Sequence, residues 1–216
     1  MQMHEIRTSM VTACREMNRT GLNQGTSGNL SVRLGDAMLV TPTATPYDRL
    51  TPDMMAAMRI GDDEGRFLGP CAPSSEWRFH RDIYRARADV GAIVHAHAPY
   101  ATALTMLRKP LPAAHYMIAA FNTHEIICTD YAPYGTPELS ALAVAGLGQA
   151  HGVLLGSHGL ITVGDTLERA MWRAVELETL AQQYMLACQM GEPVILRKED
   201  VEALIPRFAS YGVKGA

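Results

Sequence analysis

Cysteine is scarce in this 216-residue chain, and its four thiols, Cys14, Cys71, Cys128 and Cys188, stand far apart with no C-x-x-C pair. That spacing excludes a zinc knuckle and a disulfide framework and predicts reduced thiols. Charge of one sign is lacking too: 19 Lys and Arg face 22 Asp and Glu, for a net charge of -3. No basic block of the kind that holds nucleic acid or anionic lipid is present, so the expected partner is a small molecule, with no nucleic acid and no membrane. No run approaches the ~18 to 20 apolar residues of a membrane span. The opening MQMHEIRTSMVTACREMNRT lacks the basic-then-apolar layout of a signal peptide, and a cytoplasmic protein is expected. Linkers, repeats and low-complexity tracts are absent as well, which predicts one domain over residues 1–216. Apolar residues make up 48% of the chain, enough for a real core, with disorder expected only in the closing GVKGA.

What is there reads as mixed helices and strands. Ile6, Met10, Val11, Cys14 and Met17 carry a helical spacing that ends at Gly21. NLSVR and AMLVT flank Gly35-Asp36 and predict a hairpin. Pro73, Ser74 and Ser75 look like the entry to a second helix running to about Ala88, with Glu76 in its first turn. A strand, GAIVHAHA, follows, then a helix over Pro99 to Met106, then mixed strand and loop through EIICTDYAPYGTPEL. GVLLGSHGLITVG predicts two strands joined near His158-Gly159. Asp165 with Glu168 resembles a capping arrangement ahead of the longest helix, whose stripe runs from Leu167 to Cys188. Hairpins are frequent and regular β-α-β alternation is missing, so the expectation is α/β with a largely antiparallel sheet covered by helices.

Within GAIVHAHA, His95 and His97 leave the strand on one face. Two imidazoles aimed at one volume supply half of a tetrahedral shell, although hydrogen-bonded core histidines would show the same spacing. His158, which also follows an apolar strand and adjoins a glycine, is the best third ligand. His4, His80, His115, His124 and His151 are weaker candidates. Three histidines with an open position is the pattern of a catalytic metal site. Glu76 is the carboxylate expected nearby, as a ligand of the free metal or a general base, against the reading of an ordinary helix N-terminal acid. Ser74 and Ser75 at a helix start, with GTSGNL and TPTAT, offer hydroxyls and N–H groups to an anion such as phosphate.

Taken together, GTSGNLSVR, TPTATPYDRL, PSSEWRFHRDIY, AIVHAHAPYATAL, HYMIAA, YGTPEL and GSHGLITVGDTLERAMWRAVELETLAQQY resemble, in order and spacing, the class II aldolase/adducin family across essentially the whole chain. The resemblance implies a central, mostly antiparallel sheet flanked by helices and a C4 homotetramer with active sites between neighbouring subunits. It implies Zn2+, or Mn2+ or Co2+ in its place, on His95, His97 and His158. Glu76 corresponds to an acid/base residue that also ligates the metal when substrate is absent. Gly28, Asn29, Thr43, Ser74 and Ser75 match phosphate-binding positions. Tyr116 matches a catalytic tyrosine reaching from an adjacent subunit, and Tyr134, Phe208 and Tyr211 match an aldehyde pocket.

The implied reaction is reversible retro-aldol cleavage of a phosphorylated ketose to dihydroxyacetone phosphate and an aldehyde. L-fuculose 1-phosphate and 5-deoxy- or 5-methylthio-pentulose 1-phosphates are the candidate ketoses. Ala44 stands where the aldolase pattern has glycine, Tyr134 where phenylalanine is usual, and FNTHEI where small residues are; these departures bear on the aldehyde rather than the reaction. A sugar-phosphate 4-epimerase of the same fold is disfavoured by Glu76 in place of aspartate. A methylthioribulose-1-phosphate dehydratase would also share the fold, and a non-catalytic adducin-like module would keep it without needing the three histidines and Glu76.

Overall fold

The apolar stripe near the start of the chain forms α1 (Met3–Arg19), which buries Met10, Val11, Cys14 and Met17. The computed structural model describes residues 3–208 and 211, so the closing GVKGA lies outside it. The expected hairpin forms as β1 (Asn29–Leu34) and β2 (Ala37–Val40), paired antiparallel with Ser31 opposite Val40. Two further strands, β3 (Ala56–Arg59) and β4 (Phe67–Leu68), extend it. AAMR has little strand propensity of its own, and its pairing with β2 makes it a strand.

Next come α2 (Trp77–Ala86), β5 (Ala92–Ala96) and α3 (Pro99–Met106), close to the expected spans. A small two-stranded ladder, β6 (Leu111–Pro112) with β7 (Glu125–Ile126), brackets a 3-10 turn over Tyr116–Phe121. α4 (Pro137–Leu147) begins inside the stretch EIICTDYAPYGTPEL, expected as mixed strand and loop, and runs on over residues the sequence reading leaves unassigned, because PELSALAVAGL has no charged face to set off its buried stripe of Leu139, Ala143 and Leu147. β8 (Gly152–Leu155) and β9 (Gly159–Gly164) are the expected pair, and α5 (Leu167–Met190) is the longest helix. Its cap is Thr166, whose side chain accepts from the Arg169 N–H, rather than the expected Asp165. Short α6 (Lys198–Glu202) and α7 (Ile205–Phe208) close the described chain.

The seven-stranded sheet runs β4-β3-β2-β1-β5-β9-β8, and every neighbouring pair is antiparallel. Alternation along each strand makes two apolar faces. Leu30, Leu39, Val94, Ala96, Leu154 and Leu160 face the core shared with α1, α3 and α5. Met38, Val40, Ile93, Val153, Ile161 and Val163 face the core shared with α2 and α4. Each face excludes water from large aliphatic groups, so truncating Ile93 or Ile161 to alanine would cost about 2–5 kcal/mol. The same alternation sends Asn29, Ser31 and His95 to the α2 side of the sheet, where polar groups must find partners.

Candidate metal centre

His95 lies on central β5, opposite Asn29 of β1, and is fully buried. His97 stands just beyond the strand end, where the Asn23 side-chain oxygen accepts its backbone N–H at 3.2 Å. His158 occupies the turn between β8 and β9. The three rings meet edge to face, with centroids 4.8 to 5.0 Å apart, and one ligand nitrogen from each lies within 4.8 Å of the others. No other group of three or more such ligands converges among the described residues.

The Leu160 carbonyl accepts from His95 Nδ1 at 2.9 Å, which assigns the ring proton to Nδ1. Nε2 is then the ring nitrogen left to take a metal ion, 3.1 Å from His97 Nε2. Burial pushes His97 down to about 4 and His158 down to about 3, helped in both by the neighbouring His95, so both imidazoles are neutral near pH 7 and their lone pairs are available.

Glu76 occupies the N-cap position of α2 with backbone angles of φ -98 and ψ 14, so it precedes the first helical turn in which sequence placed it. Its side chain caps nothing. Ser74 contributes a weak local bond instead, its hydroxyl accepting from the Glu76 N–H at 3.3 Å. The freed carboxylate reaches the histidines: Oε2 lies 3.3 Å from His95 Nε2 and Oε1 3.2 Å from His158 Nε2. Asn29 Nδ2 donates to Oε2 at 2.9 Å, whereas Oε1 is buried with no hydrogen-bond donor. Burial opposes ionisation, but attraction to His95 and then His158, with the Asn29 amide, outweighs it and holds the carboxyl well below the usual range. Three imidazoles, an anionic carboxylate and an orphaned acceptor form a donor set that fits a divalent transition metal.

In front of this cluster opens a cavity of about 410 Å³. Gly28, Asn29, Thr43, Ser74, Ser75, Glu76, His97, His158 and Tyr134 all line it, as do Thr26, Ser27 and Ala44 from the expected GTSGNL and TPTAT stretches; Tyr131 and Ser157 line it too, and sequence reasoning did not place them there. No Lys or Arg among the described residues lines it, so an anion would meet hydroxyls and backbone N–H groups there. Tyr116, Phe208 and Tyr211 do not line it. They form a separate aromatic group, with Tyr116 6.3 Å from Phe208 and Phe208 5.1 Å from Tyr211. Tyr116 is 48% and Tyr211 51% exposed and both face outward, whereas Phe208 between them is buried against the core.

Two backbone positions shape the cavity. Gly28 has φ +70, and a Cβ there would sit 2.7 Å from the His95 carbonyl oxygen. Gly28→Ala is expected to lower the thermal unfolding midpoint by several degrees and weaken metal binding at least tenfold, read by calorimetry and metal titration. Ala44 adopts φ 49, a region that penalises a side chain. Ala44→Gly is expected to raise stability by up to about 1 kcal/mol in denaturant titration. A decrease would mean that the methyl group makes contacts outweighing its strain.

Sequence reasoning also missed His80, Ser31 and Tyr84, which are buried behind Asn29. The signal for His80 was position: it follows Glu76 at the helix start by four residues, about one helical turn.

The family model for the class II aldolase and adducin N-terminal domain matches residues 8–185. A 5-methylthioribulose-1-phosphate/5-deoxyribulose-1-phosphate aldolase of Rhodospirillum rubrum is 44% identical, covering 96% of this chain and 92% of its own. An L-fuculose phosphate aldolase of Escherichia coli is 42% identical, covering 99% of each chain. Among solved structures, an L-fuculose 1-phosphate aldolase superposes with a TM-score of 0.91 at 36% identity, covering 95% of this chain and 96% of that one.

Proposed function

The chain belongs to the class II aldolase and adducin family and is a class II aldolase, and on that premise we propose that it reversibly cleaves a ketose 1-phosphate into dihydroxyacetone phosphate and an aldehyde. The observation that carries this reading is the convergence of Glu76 and three imidazoles on a cavity walled by hydroxyls. L-fuculose 1-phosphate and 5-deoxy- or 5-methylthio-pentulose 1-phosphates are the candidate substrates, since relatives with each named activity are 42% and 44% identical.

His95, His97 and His158 would hold the metal, with Glu76 as a further ligand before substrate binds; we assign Zn2+, with Mn2+ or Co2+ as functional replacements. Bound there, such an ion supplies Lewis-acid polarisation of a substrate carbonyl. Thr43, Ser74, Ser75 and the Asn29 amide, with the close backbone approach that Gly28 permits, orient the phosphate. In the synthetic direction ionised Glu76 takes a proton from the hydroxymethyl carbon of dihydroxyacetone phosphate, and that carbon's electron pair forms the new bond to the aldehyde carbon. In cleavage the bond breaks, the pair returns to the carbon, and Glu76 gives the proton back.

The aldehyde oxygen needs a second proton carrier, and Tyr134 is the aromatic residue of the predicted aldehyde pocket that lines this cavity. We assign the carrier to Tyr116 of a neighbouring copy, accompanied by Phe208 and Tyr211, in a C4 homotetramer. The exposure of Tyr116 and Tyr211 outside their own chain's cavity supports that assignment. No helix among the described residues is long and apolar enough to cross a membrane, in keeping with the cytoplasmic location we assign.

The test offers L-fuculose 1-phosphate and 5-deoxyribulose 1-phosphate in parallel to metal-loaded protein and counts product carbons. Dihydroxyacetone phosphate from either supports the aldolase, and the ratio of kcat/KM values ranks the aldehydes. Products that keep every carbon would move the assignment to the epimerase or dehydratase of this fold. Tyr116→Phe is expected to slow cleavage at least tenfold while sparing proton exchange on dihydroxyacetone phosphate, and equal loss of both would remove Tyr116 from this role.

A further inference from the structure

Behind the carboxylate, β1 and α2 interleave two polar ladders. Asn29 and Ser31 leave β1 two residues apart and line one face of the strand, while His80 and Tyr84 leave α2 four residues apart on one face of the helix, with Glu76 at the N-cap position four residues before His80. The contacts alternate between them: Asn29 Nδ2 to Glu76 Oε2 at 2.9 Å, His80 Nε2 to Asn29 Oδ1 at 2.5 Å, Ser31 Oγ to His80 Nδ1 at 2.8 Å, and Ser31 Oγ to Tyr84 OH at 2.9 Å. Ser31 and His80 are fully buried, with Asn29 at 3% and Tyr84 at 2% exposure, so among the described residues these side chains satisfy one another and Glu76.

Donors and acceptors along this chain are not free to choose. An ionised carboxylate only accepts, so the Asn29 amide nitrogen faces Glu76 and its oxygen faces His80. That oxygen also only accepts, so His80 Nε2 carries the ring proton and Nδ1 is bare. Bare Nδ1 takes the single Ser31 hydroxyl proton, and Ser31 Oγ accepts in turn from Tyr84 O–H. Burial pushes His80 down to about 3 and keeps it neutral, and it pushes the Tyr84 phenol up and keeps it protonated. Every donor therefore points toward Glu76.

We infer that His80, backed by Ser31 and Tyr84, is a positioning residue for the proton transfer: it locks the Asn29 amide so that Glu76 Oε2 is occupied and Oε1 alone is free to take the proton. A flipped amide would set its oxygen against the carboxylate and its NH2 against a ring N–H, pairing acceptor with acceptor and donor with donor. The inference rests on the aldolase reading for the proton that is moved, and on the hydrogen-bond geometry for the rest.

Two measurements test it. Nitrogen-15 NMR of the intact wild-type protein is expected to show His80 as a neutral ring protonated at Nε2; a ring protonated at Nδ1, or a charged one, would overturn the inference without any variant. His80→Leu is expected to lower solvent exchange at the hydroxymethyl carbon of dihydroxyacetone phosphate and kcat for cleavage by about 10–100-fold. His80→Gln, whose side-chain N–H replaces the donor, is expected to recover most of both. Wild-type exchange in His80→Leu, beside a wild-type protein that both exchanges and cleaves, would overturn the inference alone. A wild-type protein that does neither would overturn the aldolase reading and the inference with it.

Discussion

Glu76→Gln is expected to lower proton exchange on dihydroxyacetone phosphate, and cleavage with it, by about 10²–10⁴-fold while the protein still binds its metal. The substitution keeps the shape of the side chain and an oxygen that can accept from Asn29, but among the described residues it removes the only carboxylate lining the cavity. His95, His97 and His158 remain to hold the ion. Elemental analysis of the variant and deuterium uptake into dihydroxyacetone phosphate separate the two roles. Retained metal with lost exchange assigns Glu76 to the proton, whereas retained exchange would remove it from the reaction.

Acid should destabilise the metal-free protein more steeply than its carboxylates alone would. Burial holds His80 and His158 near 3 and His97 and His151 near 4, where an unfolded histidine titrates near 6.5. Between those values the unfolded chain binds protons that the native chain refuses, so stability is complete above about pH 6.5 and falls as pH drops toward 4. Each such histidine contributes up to about 1.4 kcal/mol per pH unit. Glu76, whose native value is depressed, adds a loss in the same direction below about 4.5. Denaturant titrations of the apoprotein from pH 7.5 to 4.5 are expected to show this decline, with metal moderating it around neutral pH by binding only the folded state. A flat profile would mean that the buried imidazoles accept protons in place.

Local sequence made parts of this site legible, and the reasons are physical. The i, i+2 rule for strands identified His95 and His97, yet His97 lies past the end of β5 and reaches its neighbour because Asn23 holds its backbone. Glu76 was visible as a carboxylate at a helix start, but not as a residue outside the first turn whose side chain turns away from the helix it precedes. His80 is hidden in the sequence because its charged neighbours Arg78, Arg81 and Asp82 suggest solvent, whereas α2 buries His80 and Arg81 alike.

β3 needed β2, and α4 needed the sheet, before either could be recognised. The segregation of Tyr116, Phe208 and Tyr211 from the cavity is a three-dimensional fact with no sequence period behind it. The motif set carried the family and the mostly antiparallel α/β sheet, and the fold bears out both.

A metal titration of activity bears most directly on the role of this centre. Protein stripped by a chelator is expected to release no dihydroxyacetone phosphate from its ketose 1-phosphate and to regain release in proportion to added Zn2+ up to one ion per chain, whereas His158→Ala regains little at the same metal concentration. Full release from the stripped protein, or undiminished release from His158→Ala, would contradict the claim that these imidazoles and Glu76 are the centre of the reaction.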